Sequence, residues 1–369
     1  MNRIILIGNG FDLAHGLPTR YSDFINWYWD DWGKRLLHSN NRVEQDMFCT
    51  FTLTGKVPER SWGMALNYYF QNEQRPGESF SDREAIEFAK HNKSSCTFAE
   101  KSGFFKEICK QVEDKGWVDI ENVYYSYLCS GIFEPQMINK ELDYIRERLV
   151  EYLLNIQKNI TESLIKENIK NKLMEPFKMD DFAVSAKSNT YEILSDSYKI
   201  KKGEVYPNRI LLLNFNYTSM ADLYSEKDNR FVINHIHGDL SDLESVIFGY
   251  GDELDTNYKM LLDKNNNEYL RHIKQYRYLD TPKYRQVLEF TEAAPYQIYI
   301  MGHSCGNSDR VLLNTLFEHK NCVSIKPYYY VKSDGSNNYL ELVQNISRNF
   351  TDMKLMRDRV VNKTFCEVL

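Results

Sequence analysis

The chain has 369 residues, 42% of them hydrophobic and 27% charged, with 26 Tyr and 20 Phe. A chain of this length and composition buries one large or two ordinary cores, which excludes a largely disordered protein. The net charge of -6 gives the whole molecule no electrostatic pull on nucleic acid, so that partner is not expected.

In chain order, Ile4 to Ile7 is a continuous apolar run closed by glycine, which predicts a strand buried on both faces. A helix is expected over Ser22 to Trp32. Residues 38–80 are mixed and punctuated by Gly55, Pro58, Gly63 and Pro76-Gly77, so no element is assigned there. From Ser81 to Glu175 the pattern is mostly helical. Within it Ile138, Leu142, Ile145, Leu149, Leu153, Ile156 and Ile160 step by three or four, which predicts an amphipathic helix over residues 136–172, broken once and stopped by Pro176. Strand character returns at residues 209–214, 231–236, 246–248, 297–301, 322–326 and 328–332. Helices are expected at Val311 to Glu318 and Tyr339 to Asn349.

These elements predict an α/β, Rossmann-like, mostly parallel sheet, with residues 1–30 and 205–369 as the nucleotide-binding core and 31–204 as a mainly helical insertion. The seven cysteines, at positions 49, 96, 109, 129, 305, 322 and 366, show no CxxC spacing and are odd in number. Free thiols in a reducing cytoplasm are therefore expected, not a disulfide framework or a zinc knuckle. No apolar run approaches the roughly 20 residues needed to cross a bilayer, so neither a signal peptide nor a membrane contact is expected.

In open α/β sheets, ligands sit where loops leave the carboxyl ends of the strands. Four polar loops follow predicted strands here: Gly8-Asn9-Gly10-Phe11-Asp12, Asn214-Phe215-Asn216-Tyr217-Thr218, His235-Ile236-His237-Gly238-Asp239, and Gly302 to Asp309. Their convergence on one cleft is the central expectation. In the first, glycines let backbone approach a ligand, but the spacing is neither GxGxxG nor GxxxxGK[ST]. Asp12 can instead cap the turn, and His15 can satisfy a backbone carbonyl. In the second, an asparagine amide donates and accepts without titrating, so it can orient a water or a ribose hydroxyl; Asn216 or Thr218 can equally cap a helix starting near Met220. In the third, His235 and His237 lie at i and i+2, yet nothing nearby has a firm zinc spacing and no metal is expected. His237, where strand becomes loop, suits a general base. The fourth reads Gly302-His303-Ser304-Cys305-Gly306, as in a GxSxG elbow. Its downstream acid and histidine, Asp309 and His319, are only ten residues apart, which does not suit a triad. The alternative is a loop gripping phosphate or ribose, with Asp309 stabilising the first turn of its helix.

Taken together, "LIGNGFDLAHGLPTRYSDF", "WVDIENVYYSYL" (residues 117–128), "LLLNFNYT", "HIHGDL", "FGYGDE" and "GHSCGNSD" resemble the AbiH family of bacterial phage abortive-infection proteins over essentially the whole chain. More distantly, the series is similar to sirtuin-type NAD-binding domains. Gly8-Asn9-Gly10-Phe11 stands where those have Gly-Ala-Gly, and Gly16-Leu17-Pro18 where they have Gly-Ile-Pro. Asn214-Phe215-Asn216-Tyr217 resembles the Thr-Thr-Asn-Tyr element of sirtuin-like defence NAD hydrolases, His237-Gly238 their His-Gly, and Gly302-His303-Ser304 their late Gly-x-Ser.

The resemblance implies an antiphage protein that hydrolyses the nicotinamide–ribose bond of NAD or a related nucleotide, with NAD as substrate or ligand and no cofactor required. Asn216 would position the attacking water or the ribose, and His237 would take a proton. The implied catalytic set is Asn216, His237 and Asp12. The implied ligand-binding set is Gly8, Asn9, Gly10, Phe11, His15, Asn214, Gly302, His303, Ser304 and Asp309. The four-cysteine zinc module of sirtuins is absent, which argues against protein deacetylation, and Thr218 replaces the usual aspartate after Asn-Tyr. Two further readings stand beside this one. One is a non-catalytic nucleotide-sensing module; the other is a metal-dependent nuclease using Asp12, Asp119, Glu121, Asp239 and Asp252. A small-molecule dinucleotide, a phage-derived trigger and self-association are the expected partners.

Overall fold

The computed structural model describes residues 1–71, 81–182, 204–225 and 228–369. Its strands are β1 (Asn2–Ile7), β2 (Val43–Gln45), β3 (Cys49–Leu53), β4 (Cys96–Glu100), β5 (Ile210–Asn214), β6 (Phe231–His235), β7 (Tyr296–Met301) and β8 (Cys322–Tyr328). The chain divides into two compact units, Met1–Thr19 with Leu153–Leu369, and Arg20–Tyr152.

In the first unit, the strands form a parallel sheet in the order β6-β5-β1-β7-β8. Apolar runs that cover both faces explain why these segments pair in parallel. Ile4 to Ile7, Leu212, Leu213 and Ile298 to Met301 are all fully buried, and Ile5 sits in register between Leu212 and Tyr299. Taken in chain order within the sheet, the strands run third, second, first, fourth, fifth. That is the doubly wound order, with its topological switch between β1 and β7. The expected α/β, Rossmann-like architecture is therefore present.

One sheet face is apolar: Ile4, Leu6, Leu211, Leu213, Ile298 and Ile300 pack on Val287 and Phe290 of the Lys283–Ala293 helix and on Leu312, Leu313 and Leu316 of the Arg310–Glu318 helix. The other face carries buried charge. Arg3 lies 4.1 Å from the Tyr299 ring centre and donates to the carbonyls of Leu173 and Glu175, while Lys326 meets Asp181 at 3.2 Å. This polar layer fastens residues 173–182 to the sheet.

The second unit combines helices with an antiparallel sheet in the order β2-β3-β4. Its core is aromatic: Phe48 stacks on Phe105 at 4.2 Å, and Phe51 lies 4.8 Å from both Trp32 and Phe98. Asp46 holds this core from one side, accepting from Tyr28 Oη at 2.7 Å and Trp32 Nε1 at 3.1 Å.

The apolar stripe of the long helix is where the periodicity put it. Pro135–Gln157 buries Ile138, Leu142, Ile145, Leu149, Leu153 and Ile156, but the helix ends before Ile160, which is half-buried, and only a 3-10 turn at Glu162–Leu164 precedes the Glu167–Met174 helix. The Tyr21–His38 helix is longer than its expected core. Residues 38–80, unassigned from the sequence, contain β2, β3 and the Trp62–Tyr69 helix; residues 72–80 lie outside the described residues.

Two strand expectations fail. Residues 246–248 are buried but form no strand, because the run is only three residues long and the glycines after it turn the chain away. The expected strand at 328–332 does not form: β8 ends at Tyr328, and beyond it only isolated bridges remain, Tyr329 to Val368 and Val331 to Asn337. Among the described residues, no helix is long and apolar enough to cross a membrane.

Candidate functional site

The loops after β1 and β7 meet at the topological switch, and glycine is what lets them meet. A Cβ on Gly8 would lie 2.5 Å from the His303 Cα, and one on Gly302 would lie 2.1 Å from the Phe11 nitrogen. Gly302 also has φ +82, a left-handed conformation that a side chain resists. The Gly10 N–H donates to the Gly302 carbonyl at 2.9 Å. The close approach these glycines permit is thus between two backbones, where the sequence reading expected approach to a ligand. Asn9 and Ser304 are exposed on either side of this junction. Asn9 accepts from the Thr19 hydroxyl at 2.5 Å, and the Ser304 carbonyl accepts from Asn345 at 3.0 Å.

The loop after β5 folds onto the first loop through two asparagines. Asn214 is fully buried and shapes the turn: its Nδ2 donates to the Thr218 carbonyl at 3.2 Å, and its Oδ1 accepts from the Asn216 N–H at 2.9 Å. Asn216 then donates from Nδ2 to the Gly8 carbonyl at 3.0 Å and to Asp12 Oδ1 at 2.9 Å. The Gly8 carbonyl can only accept, so the amide orientation is fixed. The other Asp12 oxygen takes the Thr218 hydroxyl at 2.6 Å. Burial raises the Asp12 pKa from 3.8 to about 6, and the Thr218 and Asn216 hydrogen bonds oppose that rise only in part. Among the described residues no cation pairs with this carboxyl, so desolvation wins.

A second buried carboxylate, Asp309, stands at the start of the Arg310–Glu318 helix. Its side chain does not cap that helix. Instead Oδ1 receives Lys274 Nζ at 2.8 Å and His237 Nε2 at 3.1 Å, and Oδ2 faces His303 Nε2 at 3.5 Å. The Cys305 N–H donates to His303 Nδ1 at 3.0 Å, so the His303 proton lies on Nε2, toward the carboxylate. Burial works against the Asp309 charge. Lys274, His237 and His303 outweigh it and hold the carboxyl well below its usual range. For His237, burial and then the Lys274 charge lower the pKa, against the pull of Asp309. Tyr278 Oη lies 3.1 Å from the same His237 nitrogen. The Phe215 ring lies 5.2 Å from His237 and 4.1 Å from His303, placing an aromatic side chain of the β5 loop against the residues that meet Asp309.

The four loops therefore do come together. His15 is buried with both ring nitrogens engaged, Nδ1 at 2.7 Å from the Phe11 carbonyl and Nε2 at 2.6 Å from Tyr224 Oη. Phe11 packs on that ring at 4.6 Å. Burial lowers the His15 pKa, which keeps it neutral. His235 turns to Asp222 at 2.9 Å, away from the partners of His237. The expected helix near Met220 is only a 3-10 turn, Asp222–Tyr224, which receives no side-chain cap. His319 pairs with Glu292 at 3.1 Å while Asp309 meets Lys274, so the two do not form a triad with Ser304. Asp119 caps the Ile120–Ser130 helix in the second unit by accepting from the Asn122 N–H at 3.0 Å. Among the described residues, no three His, Cys, Asp or Glu side chains are grouped to hold a metal ion.

Sequence reasoning missed Lys274, Tyr278 and the Tyr224 partner of His15. Lys274 sits on a four-residue helix in a polar stretch with no periodicity. The only signal near it was the pair of glycines in Phe248-Gly249-Tyr250-Gly251.

A doubly wound parallel sheet, with polar loops gathered at the carboxyl ends of β1, β5, β6 and β7, defines an α/β, Rossmann-like protein. More particularly, the chain belongs to the family described as bacteriophage abortive infection AbiH, whose model matches residues 4–330. Membership supports a role in phage abortive infection. Comparisons with curated proteins and with solved structures gave no match.

Proposed function

We propose that this site binds NAD or a related nucleotide and hydrolyses its nicotinamide–ribose bond during abortive infection. Water adds to the ribose C1′ carbon, nicotinamide leaves with the electrons of the broken C–N bond, and ADP-ribose and a proton are the other products. The observation that carries this reading is the fixed amide of Asn216. With both Nδ2 hydrogens committed to Gly8 and Asp12, its Oδ1 accepts no hydrogen bond from the described residues, and the side chain is only half buried. Such an oxygen is ready for a ribose hydroxyl or the attacking water, and a group held in place beforehand costs little reorganisation in the transition state.

Asp12, buried with both oxygens taken, acts through Asn216 as its orienting partner. His237 is the proton acceptor in this scheme. The ionised Asp309 beside Nε2 makes that nitrogen the donor and leaves Nδ1 as the basic one. A binding-only reading is favoured by a different observation, the 4% exposure of His237, and the same experiment separates the two.

Purified protein is incubated with NAD and free nicotinamide is followed by chromatography. Wild type is expected to release it, and Asn216→Ala to release it about 10²–10³-fold more slowly, as for loss of one preorganised polar group. Binding without release establishes the sensing reading. Release unchanged in both Asn216→Ala and His237→Ala overturns the site.

A further inference from the structure

The "FGYGDE" segment, residues 248–253, has no part in the chemistry above, yet it is packed against the Asp309 cluster. A Cβ on Gly249 would lie 2.0 Å from the His272 carbonyl oxygen, and one on Gly251 would lie 3.0 Å from the Ser308 carbonyl oxygen and 3.3 Å from the Lys274 Cβ. The Tyr250 N–H donates to the His272 carbonyl at 3.0 Å, and the Lys274 N–H donates back to the Tyr250 carbonyl at 2.9 Å. Asp252 receives Arg310 at 3.3 Å, next in sequence to Asp309. Two glycines and a bridge-like pair of backbone bonds therefore pin Lys274 from below, and its ammonium, 1% exposed, ends 2.8 Å from Asp309 Oδ1.

We propose that Lys274 is a positioning residue of this site, and that residues 248–253 exist to seat its ammonium on Asp309, which in turn orients His237. Three donors converge on one carboxylate: Lys274, His237 Nε2 and His303 Nε2. Only Lys274 brings a permanent charge. With it in place, Asp309 stays ionised without borrowing a proton from either histidine. His237 then keeps a single proton on Nε2 and presents Nδ1 unprotonated. Without it, a buried carboxylate would face two neutral imidazoles, and protonating one of them would be the least costly remedy. Among the described residues, other charged or titratable groups facing this cluster include Tyr278 at His237, the buried Cys305 beside Asp309, and the Arg310–Asp252 pair. Arg310 and Asp252 offset each other, so neither replaces the Lys274 charge.

The functional meaning of this inference rests on the proposed role of His237, but its test does not. Full-length protein labelled at its eight histidines is titrated by NMR. The His237 ring is assigned by its loss in His237→Gln, and wild type is compared with Lys274→Met and Lys274→Arg. Lys274→Met is expected to move the His237 midpoint to higher pH, and Lys274→Arg to restore it toward wild type. An unchanged midpoint in folded Lys274→Met overturns the proposal. If Lys274→Met does not fold, the double variant Lys274→Met/Asp309→Asn is expected to recover folding, because it removes both charges; equal failure of the double variant overturns the proposal. A shifted midpoint in a protein that releases no nicotinamide removes the enzymatic reading and leaves the positioning role standing. Nicotinamide release with an unshifted midpoint does the reverse.

Discussion

Asp12 and Asp309 are both buried at the carboxyl end of one sheet, yet they fall on opposite sides of the ordinary carboxylate range. Among the described residues Asp12 receives neutral donors, the Asn216 amide and the Thr218 hydroxyl, and burial raises its pKa to about 6. Asp309 is also buried but receives an ammonium and two imidazoles, and it is held well below the usual range. The difference teaches that burial sets the penalty and the charge of the neighbours decides who wins. It also separates two kinds of work: Asp309 is a fixed charge that holds its histidines in place, whereas Asp12 can change charge within the physiological range.

The comparison breaks most visibly at Asp309. Asp309→Asn removes the carboxylate that faces the buried Lys274 ammonium and is expected to destabilise the protein by about 3–5 kcal/mol, the usual cost of removing one partner of a buried pair. Denaturant unfolding checks this, and a loss under 1 kcal/mol would mean that the ion pair is not what holds the cluster.

At Asp12 the expected effect is smaller and depends on pH. A raised folded pKa means that the proton stabilises the native state below the unfolded value of 3.8, and that this stability is lost as pH rises through about 6. Relative to Asp12→Asn, which does not titrate, wild type should lose about 2 kcal/mol between pH 4 and pH 7 for a pKa moved from 3.8 to about 6. Parallel stability curves for the two proteins over that interval would contradict the assignment.

The smallest expected effect sharpens the same contrast. Thr218→Val deletes one donor to Asp12 and should cost about 1 kcal/mol. Because that hydrogen bond is one of the two that pull the Asp12 pKa down, the variant should also move the stability transition to higher pH. An unmoved transition would show that Thr218 donates elsewhere in solution.

Much of the fold could be read from the residues, for identifiable reasons. Apolar runs such as Ile4 to Ile7 and Ile298 to Met301 declare themselves because a parallel strand covered on both faces needs no polar side chain, and the loops that follow them are polar because the chain leaves the core there. The antiparallel β2 and β3 stayed hidden among turn residues, since Cys49–Leu53 alternates buried and half-buried side chains over only five positions.

The site was legible in part. The asparagines and His237 stand next to strands and could be proposed from position. Lys274 could not, because its meeting with Asp309 is set by tertiary packing across 35 residues and has no periodic signature. The glycines were visible but misleading: residues 8, 10 and 302 signal close backbone approach, and only the three-dimensional arrangement shows that the approaching partner is another loop.

The central claim is that Asn216, fixed by Gly8 and Asp12, offers its free amide oxygen to the nicotinamide ribose. A crystal structure with a non-hydrolysable NAD analogue tests it most directly. A ribose hydroxyl is expected within hydrogen-bond distance of Asn216 Oδ1, with the loops after β1, β5, β6 and β7 around the ligand. An analogue seated elsewhere, or an Asn216 oxygen with no ligand atom near it in the complex, would contradict it.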